Sequence, residues 1–245
     1  CKVVPAKNYG HDLDAMAAAI TDKTRLVFVT NPNNPTGTWL TQTEVAAFMA
    51  KVPSDVIVVL DEAYFEYVNE ADYCDGLTLL PKYPNLVITR TFSKAYGLAS
   101  LRVGYGISSP EVADLMNRVR PPFNVNSFAL AAAVSTLNDE EYVAKSKAVN
   151  DEGMAYLTQS FDEMGLPYIP SVGNFISFEI PALIDQKATK ISAAEVNAQL
   201  LAVGVIVRPI ANYEMPTYLR VSIGTPAENK TFIAKLKKIL SDARS

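Results

Sequence analysis

The 245-residue sequence is short of the residues on which several chemistries depend. It has two cysteines, Cys1 and Cys74, and a single histidine, His11. Two thiols cannot build a disulfide framework, which points to a reducing compartment. One imidazole beside two thiols leaves the common zinc patterns without ligands, so no metal site is expected. Long apolar runs are missing too: stretches such as Phe128 to Val134 fall far short of the roughly 20 residues of a membrane span. No segment is rich in Lys or Arg, and 22 Lys plus Arg against 26 Asp plus Glu give a formal charge of −4. That balance offers no footprint for nucleic acid or an anionic membrane. Internal repeats, low-complexity tracts and Gly/Ser linkers are absent. What is present is ordinary for a soluble globular chain, with 49% apolar and 20% charged residues. The length suits one large domain or a large domain with a smaller partner.

Four apolar, β-branched runs mark the first half: Leu26 to Val29, Val56 to Leu60, Leu86 to Thr89 and Val103 to Ile107. Continuous runs of this kind predict fully buried strands. Between the first two, Thr41-Gln-Thr-Glu44 is a capping-box pattern, followed by Val45, Phe48, Met49 and Val52 at helical spacing. Pro110 suits the first turn of a helix reaching about Val119, which Pro121-Pro122 stops. Ser127 to about Met164 is Ala-rich, lacks Pro and predicts a long helix, kinked or split, capable of linking two domains. Beyond it, Phe175 to Ile180, Val205 to Val207 and Leu219 to Ile223 predict short strands. Ser192-Ala-Ala-Glu195 and Thr225-Pro-Ala-Glu228 predict two capped helices beside them. The expectation is an α/β chain: a large domain over about residues 1–150, a three-layer α/β/α arrangement with a mostly parallel sheet, and a small α+β domain over about 151–245.

Three segments follow strand ends. Asn31-Pro-Asn-Asn-Pro-Thr-Gly37 makes a rigid, tightly turned loop, either a plain surface turn or the ligand loop that open α/β sheets place at carboxyl ends of strands, with Asn34 aimed inward. Val56 to Leu60 delivers Asp61-Glu62-Ala-Tyr64. Alternation sends Asp61 and Glu62 to opposite sides, and each needs a cation or hydrogen bonds unless it merely caps a turn. Leu86 to Thr89 leads into Arg90-Thr-Phe-Ser93-Lys94-Ala-Tyr-Gly97 and on to Arg102. Lys94, solvated in isolation, gains a purpose beside Ser93 and Arg102. It can form a Schiff base with an aldehyde whose phosphate those two residues hold.

In this order and spacing, Asn31 to Gly37, Asp61 to Tyr64 and Ser93-Lys94 to Arg102 resemble the fold-type I aminotransferases that use pyridoxal 5′-phosphate. Gly204-Val-Ile-Val-Arg208-Pro, Tyr218-Leu-Arg220-Val-Ser-Ile-Gly-Thr225 and Pro121-Pro-Phe-Asn-Val-Asn126 are similar to the histidinol-phosphate branch of that family, and the resemblance runs along the whole chain. It implies that Lys94 is covalent anchor and general base, that Asp61 pairs with the pyridine nitrogen, and that Tyr64 and Asn34 bond the ring's phenolic oxygen. It also implies that Ser93 and Arg102 hold the cofactor phosphate. Arg220 matches the arginine that grips the anionic end of the substrate. Arg208 matches a second arginine turned toward a substrate phosphate, or else has a structural role at a strand end. Asn124 and Asn126 are expected to shape the domain junction, and Tyr96, Tyr105 and Tyr213 to pack. His11 has no partner that the sequence names.

The resemblance implies amino transfer between histidinol phosphate and glutamate/2-oxoglutarate in histidine biosynthesis, by a cytoplasmic homodimer. The alternatives are an aminotransferase for aromatic amino acids, a relative acting on a phosphorylated substrate such as a threonine-phosphate decarboxylase, or a non-catalytic fragment of this fold. The family's N-terminal features are not found: a Gly-containing phosphate loop, an aromatic residue stacked on the ring and a tyrosine lent by the neighbouring subunit. The start at Cys1, without Met or signal-peptide pattern, is therefore read as the edge of a truncation. Weaker cofactor binding and unprotected sheet edges are the corresponding expectations.

Overall fold

A computed structural model describes residues 1–181, 183–184, 187–188 and 191–243. The chain divides into two units, one comprising Cys1–Asn34 with Thr38–Ala144, the other Pro35–Gly37 with Lys145 onward.

The first unit opens with α1 (Leu13–Ala18), β1 (Leu26–Thr30), α2 (Gln42–Met49) and β2 (Ile57–Asp61). It continues with β3 (Leu86–Thr91), β4 (Gly104–Ser108), α3 (Pro110–Val119), α4 (Ser127–Leu137) and the start of α5 (Glu140–Met164). The strands lie in the order β1-β2-β3-β4, the first three parallel and β4 antiparallel to β3. The α/β class with a mostly parallel sheet follows directly from the β-branched runs and the capped crossover helix between them. Thr41 caps α2 through a full capping box with Glu44, an arrangement that stabilises a helix start by about 1 kcal/mol.

Side-chain alternation divides the sheet into two faces. Val27, Val29, Val58, Leu60, Leu86 and Ile88 enter one core with Val45, Phe48 and Met49 of α2 and with Leu13 and Met16 of α1. Register puts Thr30, Asp61 and Thr89 side by side on the opposite face, continuing the rows of Phe28, Val59 and Val87. On β1 that second face is open, with Leu26 54% and Phe28 63% exposed. This corrects the expectation of a fully buried first strand: an apolar run does not reveal which strand forms the sheet edge.

The long helical segment is two helices, split at Asn138 and Asp139. Asn126 caps α4 by accepting from the Ala129 N–H, 2.8 Å away, and Ala129 and Ala133 pack on Phe92 and Val103.

The second unit contains the rest of α5, β5 (Tyr168–Ile169), β6 (Phe175–Glu179), the ribbon β7 (Leu183–Ile184) with β8 (Lys187–Ala188), α6 (Ala193–Ala202), β9 (Arg208–Pro209), β10 (Tyr218–Ser222) and α7 (Pro226–Asp242). Its main sheet has the order β5-β6-β10-β9 and is antiparallel throughout. The expected strand at Val205 to Val207 is displaced to Arg208–Pro209. The cause is local: the Val205 N–H is bound to the Leu200 carbonyl at 2.9 Å, closing α6, and Gly204 turns at φ 81°. Phe161 stacks on Phe178 with centroids 4.8 Å apart, and Phe232 meets both edge-on. Gly153 lets α5 approach closely, because a Cβ there would lie 2.4 Å from Ile223 Cγ2.

Candidate active site

In the first unit the sequence-selected residues gather at the carboxyl ends of β1, β2 and β3, each held by the loop that follows its strand. After β1, the buried Asn31 side chain pairs with the Leu40 backbone, accepting from its N–H at 2.8 Å and donating to its carbonyl at 3.3 Å. The peptide Asn31-Pro32 is cis, and the Tyr73 hydroxyl donates to the Asn31 carbonyl. Burial pushes that phenol well above its usual range, so it remains a donor. The loop so fixed carries Asn34, whose Nδ2 donates to the Tyr64 hydroxyl at 3.0 Å. His11 sits beside the same strand end, its Nε2 within 3.2 Å of the Thr30 N–H, 2.9 Å of its hydroxyl and 3.1 Å of its carbonyl. Burial lowers the His11 pKa, so the ring acts as a neutral tether for β1.

After β2, the two adjacent acids take separate partners. Asp61, half-buried, accepts from the Thr89 hydroxyl at 3.1 Å. Glu62 is fully buried on the α2 side and accepts from the Gly76 N–H at 2.7 Å and from Arg90 Nε and Nη2 at 2.9 and 2.7 Å. Arg90 also reaches Asp75 at 2.9 Å and lies 3.6 Å over the Phe65 ring. Even so, burial pushes the Glu62 carboxyl up to about 6. Sequence reasoning named Glu62 but gave it no partner. Arg90 and Thr89 were missed, because alternation gains force only with the β2–β3 register, which sets Thr89 beside Asp61 and sends Arg90 to the Glu62 side.

After β3, a turn closed by the Gly97 N–H on the Lys94 carbonyl at 2.9 Å presents Lys94. Gly97 has φ 71°, and a Cβ there would meet the Tyr142 hydroxyl at 2.6 Å. Lys94 Nζ stands 5.2 Å from the centre of the Tyr64 ring, and among the described residues no carboxylate pairs with it. Arg102 adopts a left-handed φ of 54°, a conformation costing a non-glycine residue roughly 1–2 kcal/mol. There its Nη1 donates to the Ser93 hydroxyl at 3.3 Å and the Ala99 carbonyl at 2.8 Å. The exposed guanidinium and the hydroxyl thus stand together beside the lysine turn. An amine with no carboxylate partner among the described residues, a strand-end carboxylate, an amide–phenol pair and an Arg–Ser pair are chemically suited to a phosphorylated aromatic aldehyde bearing a ring nitrogen and a phenolic oxygen.

In the second unit, Arg208 and Arg220 are directly opposite each other across β9 and β10. They line a cleft of about 550 Å³ with Ile206, Val207, Pro209 and Ser222. The Arg220 guanidinium also lies 5.1 Å over the Phe175 ring. Like charges facing across a strand pair repel, and an oxyanion between them relieves that cost. Asn124 accepts from Arg120 at 3.0 Å. Phe92 packs against Tyr96 and Tyr105.

Comparison with known proteins adds an independent line. The family model for aminotransferase class I and II matches residues 1–236. The chain is 57% identical, over 98% of its length, to histidinol-phosphate aminotransferase 2 of Pseudomonas fluorescens strain Pf0-1, covering 62% of that protein. It is 58% identical over 97% of its length to histidinol-phosphate aminotransferase of Methylobacillus flagellatus, covering 61% of it. The chain therefore spans a little under two thirds of these curated relatives. Among solved structures, histidinol-phosphate aminotransferase of Sinorhizobium meliloti in complex with pyridoxal-5′-phosphate superposes with a TM-score of 0.85 at 28% identity, covering 99% of this chain and 64% of that one.

Proposed function

Because the chain belongs to the aminotransferase class I and II family, we propose that it transfers an amino group between L-histidinol phosphate and 2-oxoglutarate, with pyridoxal 5′-phosphate as cofactor. The observation that carries this reading is the grouping of Lys94, Asp61, Tyr64, Asn34, Ser93 and Arg102 at three adjacent strand ends. When bound, the cofactor supplies an electron sink for negative charge at the substrate Cα.

The chain's own residues divide the remaining work. Lys94 Nζ would hold the aldehyde carbon and, once the substrate amine has taken its place and freed the lysine amine, would accept the Cα proton and return it. Asp61 accepts a hydrogen bond from the protonated ring nitrogen and holds the proton there. Asn34 Nδ2 and the Tyr64 hydroxyl orient the phenolic oxygen, while Ser93 and Arg102 bind the phosphate monoester with a hydroxyl and a guanidinium. Arg208 and Arg220 bind the anionic end of the substrate, and two facing cations suit a phosphate dianion better than a single carboxylate. The reading extends to a homodimer at work in the cytoplasm. Among the described residues no helix is long and apolar enough to cross a membrane.

The test has two stages. Pyridoxal 5′-phosphate is titrated into the chain, the adduct is reduced with borohydride, and the labelled peptide is identified by mass. Label at Lys94, lost in Lys94→Ala, is the expected result, and label elsewhere overturns the site. Glutamate formation from 2-oxoglutarate is then followed with L-histidinol phosphate as donor. Turnover with aromatic amino acids but none with histidinol phosphate overturns the substrate and leaves the chemistry standing.

A further inference from the structure

Asp61 carries the ring-nitrogen contact in the reading above, and the present inference rests on that reading. A carboxylate turns about a broad sp³–sp² torsion, so its plane is set by whatever donates to it. Among the described residues one hydrogen bond reaches the Asp61 carboxylate, from Thr89 Oγ1 to Oδ1 at 3.1 Å. Thr89 and Asp61 are register partners across the parallel pair β2–β3 and share the face opposite the α2 core. Thr89 itself has little freedom. Its carbonyl accepts the Glu62 N–H at 2.8 Å, its other side pairs with Gly106 of β4, and its β-branched side chain is stiff at χ1. The neighbouring hydroxyl of Thr91 is engaged elsewhere, accepting from the Ser93 N–H at 3.1 Å.

We propose that Thr89 is a positioning residue for the cofactor: its hydroxyl fixes the Asp61 carboxylate through Oδ1 and leaves Oδ2 to receive the ring N–H. Asp61 and Glu62 are thus oriented by consecutive residues of β3, Thr89 on one face and Arg90 on the other. The neutral donor belongs with the acid that must stay available to a ligand, the cation with the acid that is buried.

The test is a double-mutant cycle on equilibrium binding of pyridoxamine 5′-phosphate, which has the ring nitrogen but no aldehyde for Lys94 to capture. Thr89→Val keeps the shape and removes the hydroxyl; Thr89→Ser keeps the hydroxyl. Thr89→Val is expected to weaken binding roughly tenfold, as fits the loss of one hydrogen bond to a charged acceptor. Thr89→Ser is expected to stay within about threefold of the parent, and Asp61→Asn to abolish the Thr89→Val effect because the two act through one contact. Thermal melts of each variant separate lost folding from lost orientation. Losses that add in the double variant, or unchanged binding in a folded Thr89→Val, overturn the role of Thr89 alone. Binding indifferent to Asp61→Asn overturns the site reading instead, and no binding by the parent chain overturns both.

Discussion

The two units solve the burial problem in opposite ways. The second unit closes a core in which Phe161, Phe178 and Phe232 pack against one another, while Ser192 and Thr225 cap its helices α6 and α7 with full capping boxes. The first unit buries a charged pair, Glu62 with Arg90, and leaves one face of β1 bare. Its strands end in hydroxyls, amides and acids where the second unit's central strands carry Ile176, Phe178, Leu219 and Val221 into the core. The contrast shows where the chain stores polar order. The first unit sacrifices core apolarity to hold side chains in fixed directions at the strand ends, and the second gains its rigidity chiefly from apolar packing, with buried Ser177 and Asn229 bonded to backbone at its margins.

Removing the anchor of each unit tests that contrast most severely. Arg90→Met leaves Glu62 buried with only the Gly76 N–H, and breaking a buried pair from one side costs about 3–5 kcal/mol. Arg90's partners among the described residues, Glu62, Asp75 and Phe65, lie in the first unit. Hydrogen exchange should therefore accelerate in β2 and β3 and stay unchanged in β6 and β10; equal acceleration in both sheets would break the comparison. Phe161→Ala is expected to cost a similar 3–5 kcal/mol through the cavity left between Phe178 and Phe232. Here protection should fall in β6 and β10 first, while pyridoxamine 5′-phosphate affinity stays at the parent value.

The next effect is smaller and depends on pH. The Glu62 carboxyl rises from 4.5 to about 6 in the folded chain because it is buried. Between those values the folded state holds more proton than the unfolded state, so stability present below about pH 4.5 is lost as pH rises through about 6. The shift corresponds to about 2 kcal/mol. Glu62→Gln should flatten that part of the stability–pH curve, measured as the difference between parent and variant in denaturant midpoints at pH 4.5 and 7. A difference that does not change between the two pH values would mean that Arg90 and Gly76 hold Glu62 ionised in spite of burial. The Arg90→Met loss should shrink as pH falls through the same range, since a protonated Glu62 no longer needs its cation.

Much of this organisation was legible in the sequence. β-branched runs marked β1 to β3, and the S/T-x-x-E boxes at Thr41, Ser192 and Thr225 marked helix starts to the residue. The strand-end loops marked Asn34, Asp61, Tyr64, Ser93, Lys94 and Arg102. The remainder depends on pairing partners, which periodicity does not carry. Thr89 and Arg90 gain their meaning only once β3 is known to lie beside β2 in the register Asp61↔Thr89. The β9 strand moved because Val205-Ile-Val207 has strand composition while its first N–H is already used to close α6. His11 had no visible partner because Thr30 is 19 residues away.

The smallest thermodynamic effect is expected on the bare face of β1. The inter-strand bonds from the Ile57 N–H to the Arg25 carbonyl and from the Asn31 N–H to the Asp61 carbonyl set the parity of the strand. The backbone groups of Leu26, Phe28 and Thr30 therefore face away from β2. His11 Nε2 already engages the Thr30 backbone, lying within 3.2 Å of its N–H, and its ring stands in the way of a further strand there, leaving Leu26 and Phe28 as the open rungs among the described residues. Exposed apolar edge strands template association, and a lysine on the edge suppresses it at little cost to the fold. Phe28→Lys should therefore change the denaturant midpoint by less than about 0.5 kcal/mol equivalent and lower the concentration dependence of the sedimentation profile. His11→Ala should act in the opposite sense, freeing the third rung and strengthening association. If Phe28→Lys instead destabilises the chain by more than 2 kcal/mol while leaving association unchanged, the β1 face is part of the folded core, and the contrast between a packed second unit and an open first unit falls with it.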